Sequence, residues 1–118
     1  MIAPRHQFHI TFHDDADGRR LAIHGEFDAG AVASFDAGLE DRAATNPRIV
    51  LCLRHVTVID SSALGALVRA TAQARSEEHS LEVHAPLSYQ QDLIEITGLD
   101  SLIDVTKDCQ CSEDEVPS

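Results

Sequence analysis

Val56-Thr57-Val58-Ile59-Asp60-Ser61-Ser62-Ala63-Leu64-Gly65-Ala66-Leu67 reads as the junction between a buried strand and a helix, and the fold follows from it. The β-branched run ends at Asp60-Ser61-Ser62, residue types that favour a helix N-cap because short oxygen-bearing side chains satisfy free amides. A helical pattern of small residues then continues to at least Ala74. Leu64, Leu67, Val68 and Thr71 form its apolar stripe, while Ala63, Ala66, Ala70, Ala72 and Ala74 keep the helix regular and slim. Hydroxyls at a helix start lie beside free N–H groups and the positive end of the helix dipole. A phosphate on Ser61 or Ser62 is therefore electrostatically acceptable.

Working outward, Ile49-Val50-Leu51-Cys52-Leu53 is apolar without alternation. That pattern predicts a strand buried on both faces, in the middle of a sheet with parallel neighbours. Before it, Val32, Phe35, Leu39 and Ala43 share one helical face, and Asn46-Pro47 ends that helix. Earlier still, Phe8, Ile10 and Phe12 alternate with His9 and Thr11 as a half-buried strand. Asp14-Asp15-Ala16-Asp17-Gly18 then turns the chain into the returning strand Leu21-Ala22-Ile23, which closes at His24-Gly25. A calcium loop is excluded, because with Gly18 sixth its first and twelfth places hold His13 and His24.

Downstream, Leu81 to Ala85 is a strand broken by Pro86. Ser88-Tyr89-Gln90-Gln91 fits a capping box; Tyr89, Leu93 and Ile96 give the following helix its inner face; Gly98 ends it. Leu102 to Val105 is a short final strand. Two opening strands followed by alternating helix and strand predict an α/β fold, a mixed sheet of about five strands with helices mainly on one face. Residues 1–108 form one domain, and residues 109–118 read as an acidic, disordered tail.

The chain has 118 residues, is 43% hydrophobic and carries a net charge of -11. That charge argues against nucleic acid and against direct membrane binding, and favours a protein partner with a basic docking face. Apolar runs are too short to span a bilayer and the first residues lack a signal-peptide core, so the expected location is cytoplasmic. Cys52 reads as a small core residue, and Cys109 and Cys111 as surface residues, with metal capture or thiol redox chemistry as the alternative. No two histidines share a helical ligand spacing inside one helix. His9 and His24 read as strand surface residues, and neither a metal nor a cofactor is expected.

Four segments, in order, resemble the STAS domain of bacterial anti-sigma factor antagonists. They are Gly25-Glu26-Phe27-Asp28, Ile49 to Leu53 with Val56-Thr57, Asp60-Ser61-Ser62-Ala63-Leu64-Gly65, and Thr97-Gly98-Leu99. The resemblance spans Phe8 to Val105 and implies a non-enzymatic regulator that works by partner switching. Its unphosphorylated form would bind an anti-sigma factor that is also a serine kinase, freeing a sigma factor. Phosphorylation of the serine after the Asp would release the kinase, and a phosphatase would reverse the step. By that resemblance the acceptor is Ser61, with Ser62 second, and the partner-binding set is Asp28, Asp60, Ser61, Ser62, Ala63 and Leu64.

The family usually carries Gly where this chain has Ala63. The added methyl group firms the helix by about 1 kcal/mol, and is expected to hinder a partner's close approach. Three other readings stay open. Ser61 and Ser62 could simply cap a helix. A serine hydrolase is a second, although the chain lacks a Gly-x-Ser-x-Gly elbow and a phosphate-binding glycine loop. The third keeps the fold and changes the partner, as a STAS-type subunit of a stressosome-like assembly or a membrane lipid transporter.

Overall fold

The unbroken apolar run at residues 49–53 lies in the centre of a five-stranded sheet. The structure, a computed structural model, describes residues 7–15, 18–43 and 48–106. Its strands are β1 (His9–Asp15), β2 (Gly18–Phe27), β3 (Arg48–Ile59), β4 (Ser80–His84) and β5 (Asp104–Thr106). They lie side by side in chain order, with β1 antiparallel to β2 and all later pairs parallel. Asp15 pairs with Gly18 across the opening hairpin; residues 16–17 between them lie outside the described residues.

Parallel neighbours need crossovers, and α1 (Val32–Ala43), α2 (Ser61–Ser76) and α3 (Ser88–Thr97) supply them. Because each crossover steps to the next strand in the same direction, the right-handed rule puts all three helices on one face. The core confirms it. Alternate strand residues Leu21, Ile23, Leu51, Leu53, Leu81 and Val83 join Phe35, Leu39, Leu67, Ala70 and Ile94 in one apolar cluster. Phe27 anchors the end of β2 against Phe35, ring centroids 4.9 Å apart.

β3 outruns β4. Its last pair with β4 is Cys52 with His84, yet the strand continues to Ile59. Among the described residues, carbonyls beyond that point have no strand neighbour on this side, and α3 satisfies two of them with side chains. Gln90 Nε2 donates to Leu53 O at 2.6 Å, and the Tyr89 hydroxyl donates to Val56 O. Gln90 is fully buried for this reason, since a buried amide is tolerated only when hydrogen-bonded. This arrangement fastens the end of the strand that leads into Asp60 and Ser61.

Several expectations change accordingly. The inner face of α3 is Gln90 and Ile94, with Leu93 at its margin, whereas Tyr89 is 40% and Ile96 83% exposed. Its N-cap is Leu87, one residue earlier than expected. Gln90, not Gln91, reaches back to the Leu87 N–H (3.4 Å), and Gln91 donates instead to Ala85 O. Gly98 does end the helix, in the left-handed conformation with φ 75°. His24 is buried at 4% exposure rather than on the surface. Cys52 is buried as expected. The expectations for Asn46-Pro47, Cys109, Cys111 and the acidic tail fall outside the described residues.

Candidate functional site

Asp60 organises the corner where β3 becomes α2. Its backbone is extended (φ -104°), and its Oδ1 accepts the Ala63 N–H at 2.9 Å, the N-cap bond expected of an Asp before a helix. The other oxygen, Oδ2, accepts the Ala29 N–H at 3.0 Å, thirty-one positions away in the chain. The Asp60 N–H in turn donates to Phe27 O at 3.3 Å. One carboxylate thus ties the start of α2 to the short 3-10 turn Ala29–Ala31 that follows β2.

That staple brings the Glu26-Phe27-Asp28 segment beside Asp60-Ser61-Ser62. Asp28 is half-buried with an extended backbone, and its carbonyl accepts the Ala31 N–H at 2.9 Å. Ser61 and Ser62 are the first two residues of α2, and both are exposed. The cap is supplied by Asp60, so neither serine is needed for that purpose. They lie at the end of the helix whose first N–H groups have no carbonyl partner within it.

Ala63 and Leu64 belong to the inside of the corner. Ala63 is fully buried and Leu64 is 8% exposed, both within the apolar cluster. Of the six residues expected at a partner surface, Ser61 and Ser62 are exposed, Asp28 and Asp60 are half-buried, and these two support the surface from below. The Ala63 methyl group therefore packs inward. It stiffens the helix start without being exposed at the outer corner.

Sequence reasoning missed Tyr89 and Gln90 as the groups that hold β3 behind this corner. The apolar pattern placed Tyr89 on the inner face but carried no signal for its hydroxyl or for the Gln90 amide, which act through polar atoms. Among the described residues no group of three or more His, Cys, Asp or Glu is placed to hold a metal ion. Nor is any helix among them long and apolar enough to cross a membrane.

Removal of the Asp60 carboxylate tests the staple. Asp60→Ala loses two side-chain acceptors and is expected to destabilise the fold by about 2 kcal/mol. Asp60→Asn keeps one oxygen and should lose about half as much. Urea unfolding reads both, and an alanine variant as stable as the parent would show that the staple contributes nothing.

The comparisons with known proteins agree with this fold. The family model described as "Mlab, STAS domain" matches residues 10–104. A STAS-domain containing protein of Pseudomonas aeruginosa (strain UCBPP-PA14) is 32% identical over 99 residues, covering 82% of this chain and 98% of its own. An anti-sigma factor antagonist from Mycobacterium paratuberculosis superposes with a TM-score of 0.74 at 17% identity, covering 91% of this chain and 92% of that one. The Bacillus cell fate determinant SpoIIAA in its phosphorylated form gives a TM-score of 0.64 at 16% identity, covering 92% and 95%. With its mixed five-stranded sheet and a family match over most of its length, the chain belongs to the STAS domain family.

Proposed function

We propose that the protein is an anti-sigma factor antagonist that works by partner switching at the Ser61 corner. Unphosphorylated, it binds an anti-sigma factor that is also a serine kinase, in the cytoplasm. Phosphorylation of Ser61 releases that partner, and a phosphatase restores binding. The observation that carries this reading is an exposed hydroxyl on the first residue of a helix whose cap is already supplied by another residue. Support comes also from the solved structures that share the fold, one an anti-sigma factor antagonist and another SpoIIAA in a phosphorylated form.

The chemistry of the corner suits a reversible phosphate. Phosphorylation adds about -1.5 to -2 charges and three acceptor oxygens. Helix N–H groups can hold them without unfolding the domain, so the fold should survive modification. Ser62, one residue on and also exposed, is the second choice of acceptor. Incubation with the cognate kinase and ATP, followed by mass-spectrometric mapping, should place the phosphate on Ser61. Phosphate found away from residues 61 and 62 would remove the proposal.

A second reading rests on the name of the matched family, Mlab. It keeps the corner and makes the chain a STAS-type subunit of a larger assembly, such as a membrane lipid transporter. Co-purification separates the two: a stable stoichiometric complex indifferent to ATP favours the assembly, and an ATP-released kinase favours the switch.

A further inference from the structure

Tyr89, Leu93 and Ile96 stand at positions i, i+4 and i+7 of α3, the spacing of an apolar helical face. Leu93 packs at the margin of the core beside Gln90 and Ile94, and the Tyr89 hydroxyl donates to Val56 O, while Ile96 and part of the Tyr89 side chain stay outside. Tyr89 is 40% and Ile96 83% exposed, and Leu102, just after the helix, is 49% exposed. Single exposed apolar residues are ordinary; apolar positions that stay at least partly exposed over two turns of one helix are the form of a docking surface.

The charge around it decides what fits. Between His84 and Lys107 the chain has no basic residue, and it carries Asp92, Glu95, Asp100 and Asp104. All four are exposed. A second copy of a chain with net charge -11 would bring the same acidic rim against this one. The C-terminal segment 107–118 offers Asp108, Glu113, Asp114 and Glu115 against a single Lys107, and is repelled likewise. A helix with leucine-like anchors flanked by Lys or Arg meets both the stripe and its rim. We infer that the outer face of α3 docks a basic amphipathic helix of another protein, at a surface distinct from Ser61 and independent of its phosphorylation.

The probe is a synthetic amphipathic helix of leucine and lysine, titrated into the isotope-labelled full-length chain and followed by NMR. Saturable shifts are expected at the amides of residues 88–102, weakening as salt is raised. The matching helix of leucine and glutamate should not bind. Ile96→Ser removes an exposed side chain without changing charge or core, and is expected to weaken the lysine peptide about tenfold. Ser61→Asp should bind it as the parent does, which keeps failure of the switch separate from failure of this surface.

Unchanged affinity in Ile96→Ser would reduce the contact to general charge attraction and overturn the inference. Shifts centred on α1 or α2 would do the same. A dimer in sedimentation equilibrium that Ile96→Ser dissolves would assign the stripe to a second copy. Contacts from residues 107–118 to Ile96 would assign it to the chain's own tail, and loss of the peptide in Ser61→Asp would assign the contact to the corner.

Discussion

Ser61→Asp is expected to bind the cognate anti-sigma kinase about thirtyfold more weakly than Ser61→Ala, and phosphorylated Ser61 about a thousandfold more weakly. Docking onto the corner strips water from whatever Ser61 carries. A hydroxyl loses little by that, whereas a charged group must be desolvated beside Asp28 and Asp60. Unfavourable desolvation and repulsion of about 4 kcal/mol correspond to about a thousandfold in affinity. A single carboxylate carries about half the charge of a phosphate, hence the smaller figure for Asp. The fold should not contribute to the loss. Ser61 is exposed at the first position of α2, where a negative charge faces the favourable end of the helix dipole and adds up to about 1 kcal/mol of stability. Titration calorimetry on the two variants, with unfolding midpoints as the control, gives the answer. Equal affinity would end the switching account even with Ser61 confirmed as the phosphosite.

The corner was legible in the sequence because its signals are local. An Asp after a β-branched run and before small helical residues predicts an N-cap, and Asp60 is one. The continuous apolar run at 49–53 predicts a central strand, and β3 has parallel neighbours on both sides. The link from Asp60 to Ala29 was not legible, since no local pattern reports a hydrogen bond across thirty-one positions. α3 shows the opposite limit. Periodicity assigns Tyr89, Leu93 and Ile96 to the core because it weighs apolarity alone. The structure instead buries Gln90, whose amide donates to a carbonyl left open where β4 stops short. Such an edge exists only once the sheet is assembled. The same holds for His24. Its neighbours His9 and His55 lie fifteen and thirty-one positions away, and only the strand register makes them a stack.

Acid should weaken the fold through that stack. On the sheet face opposite the helices, the rings of His9, His24 and His55 lie parallel, with centroids 4.4 and 4.8 Å apart. The central ring is 4% exposed and shares a 3.1 Å hydrogen bond with the Thr11 hydroxyl. Burial, followed by the neighbouring His9, His55 and His13, lowers the His24 pKa to about 4 from 6.5. The unfolded chain, with the ordinary value, binds this proton more readily than the folded one. Stability from His24 is therefore complete above pH 6.5, falls as pH drops from 6.5 towards 4, and levels off below. A difference of that size corresponds to about 3 kcal/mol by linkage. Carboxylates titrate in the lower part of this range, so His24 must be isolated by difference. His24→Phe keeps a flat ring in the stack and cannot take up the proton. It should be the less stable protein at pH 7.5, where the Thr11 hydroxyl loses its partner, and should lose its disadvantage as pH falls. The stability of the parent minus that of the variant, from urea unfolding at each pH, should fall by about 3 kcal/mol between pH 7.5 and pH 4. A difference that stays flat, or an NMR titration of His24 with a midpoint near 6.5, would show that the ring charges freely where it sits.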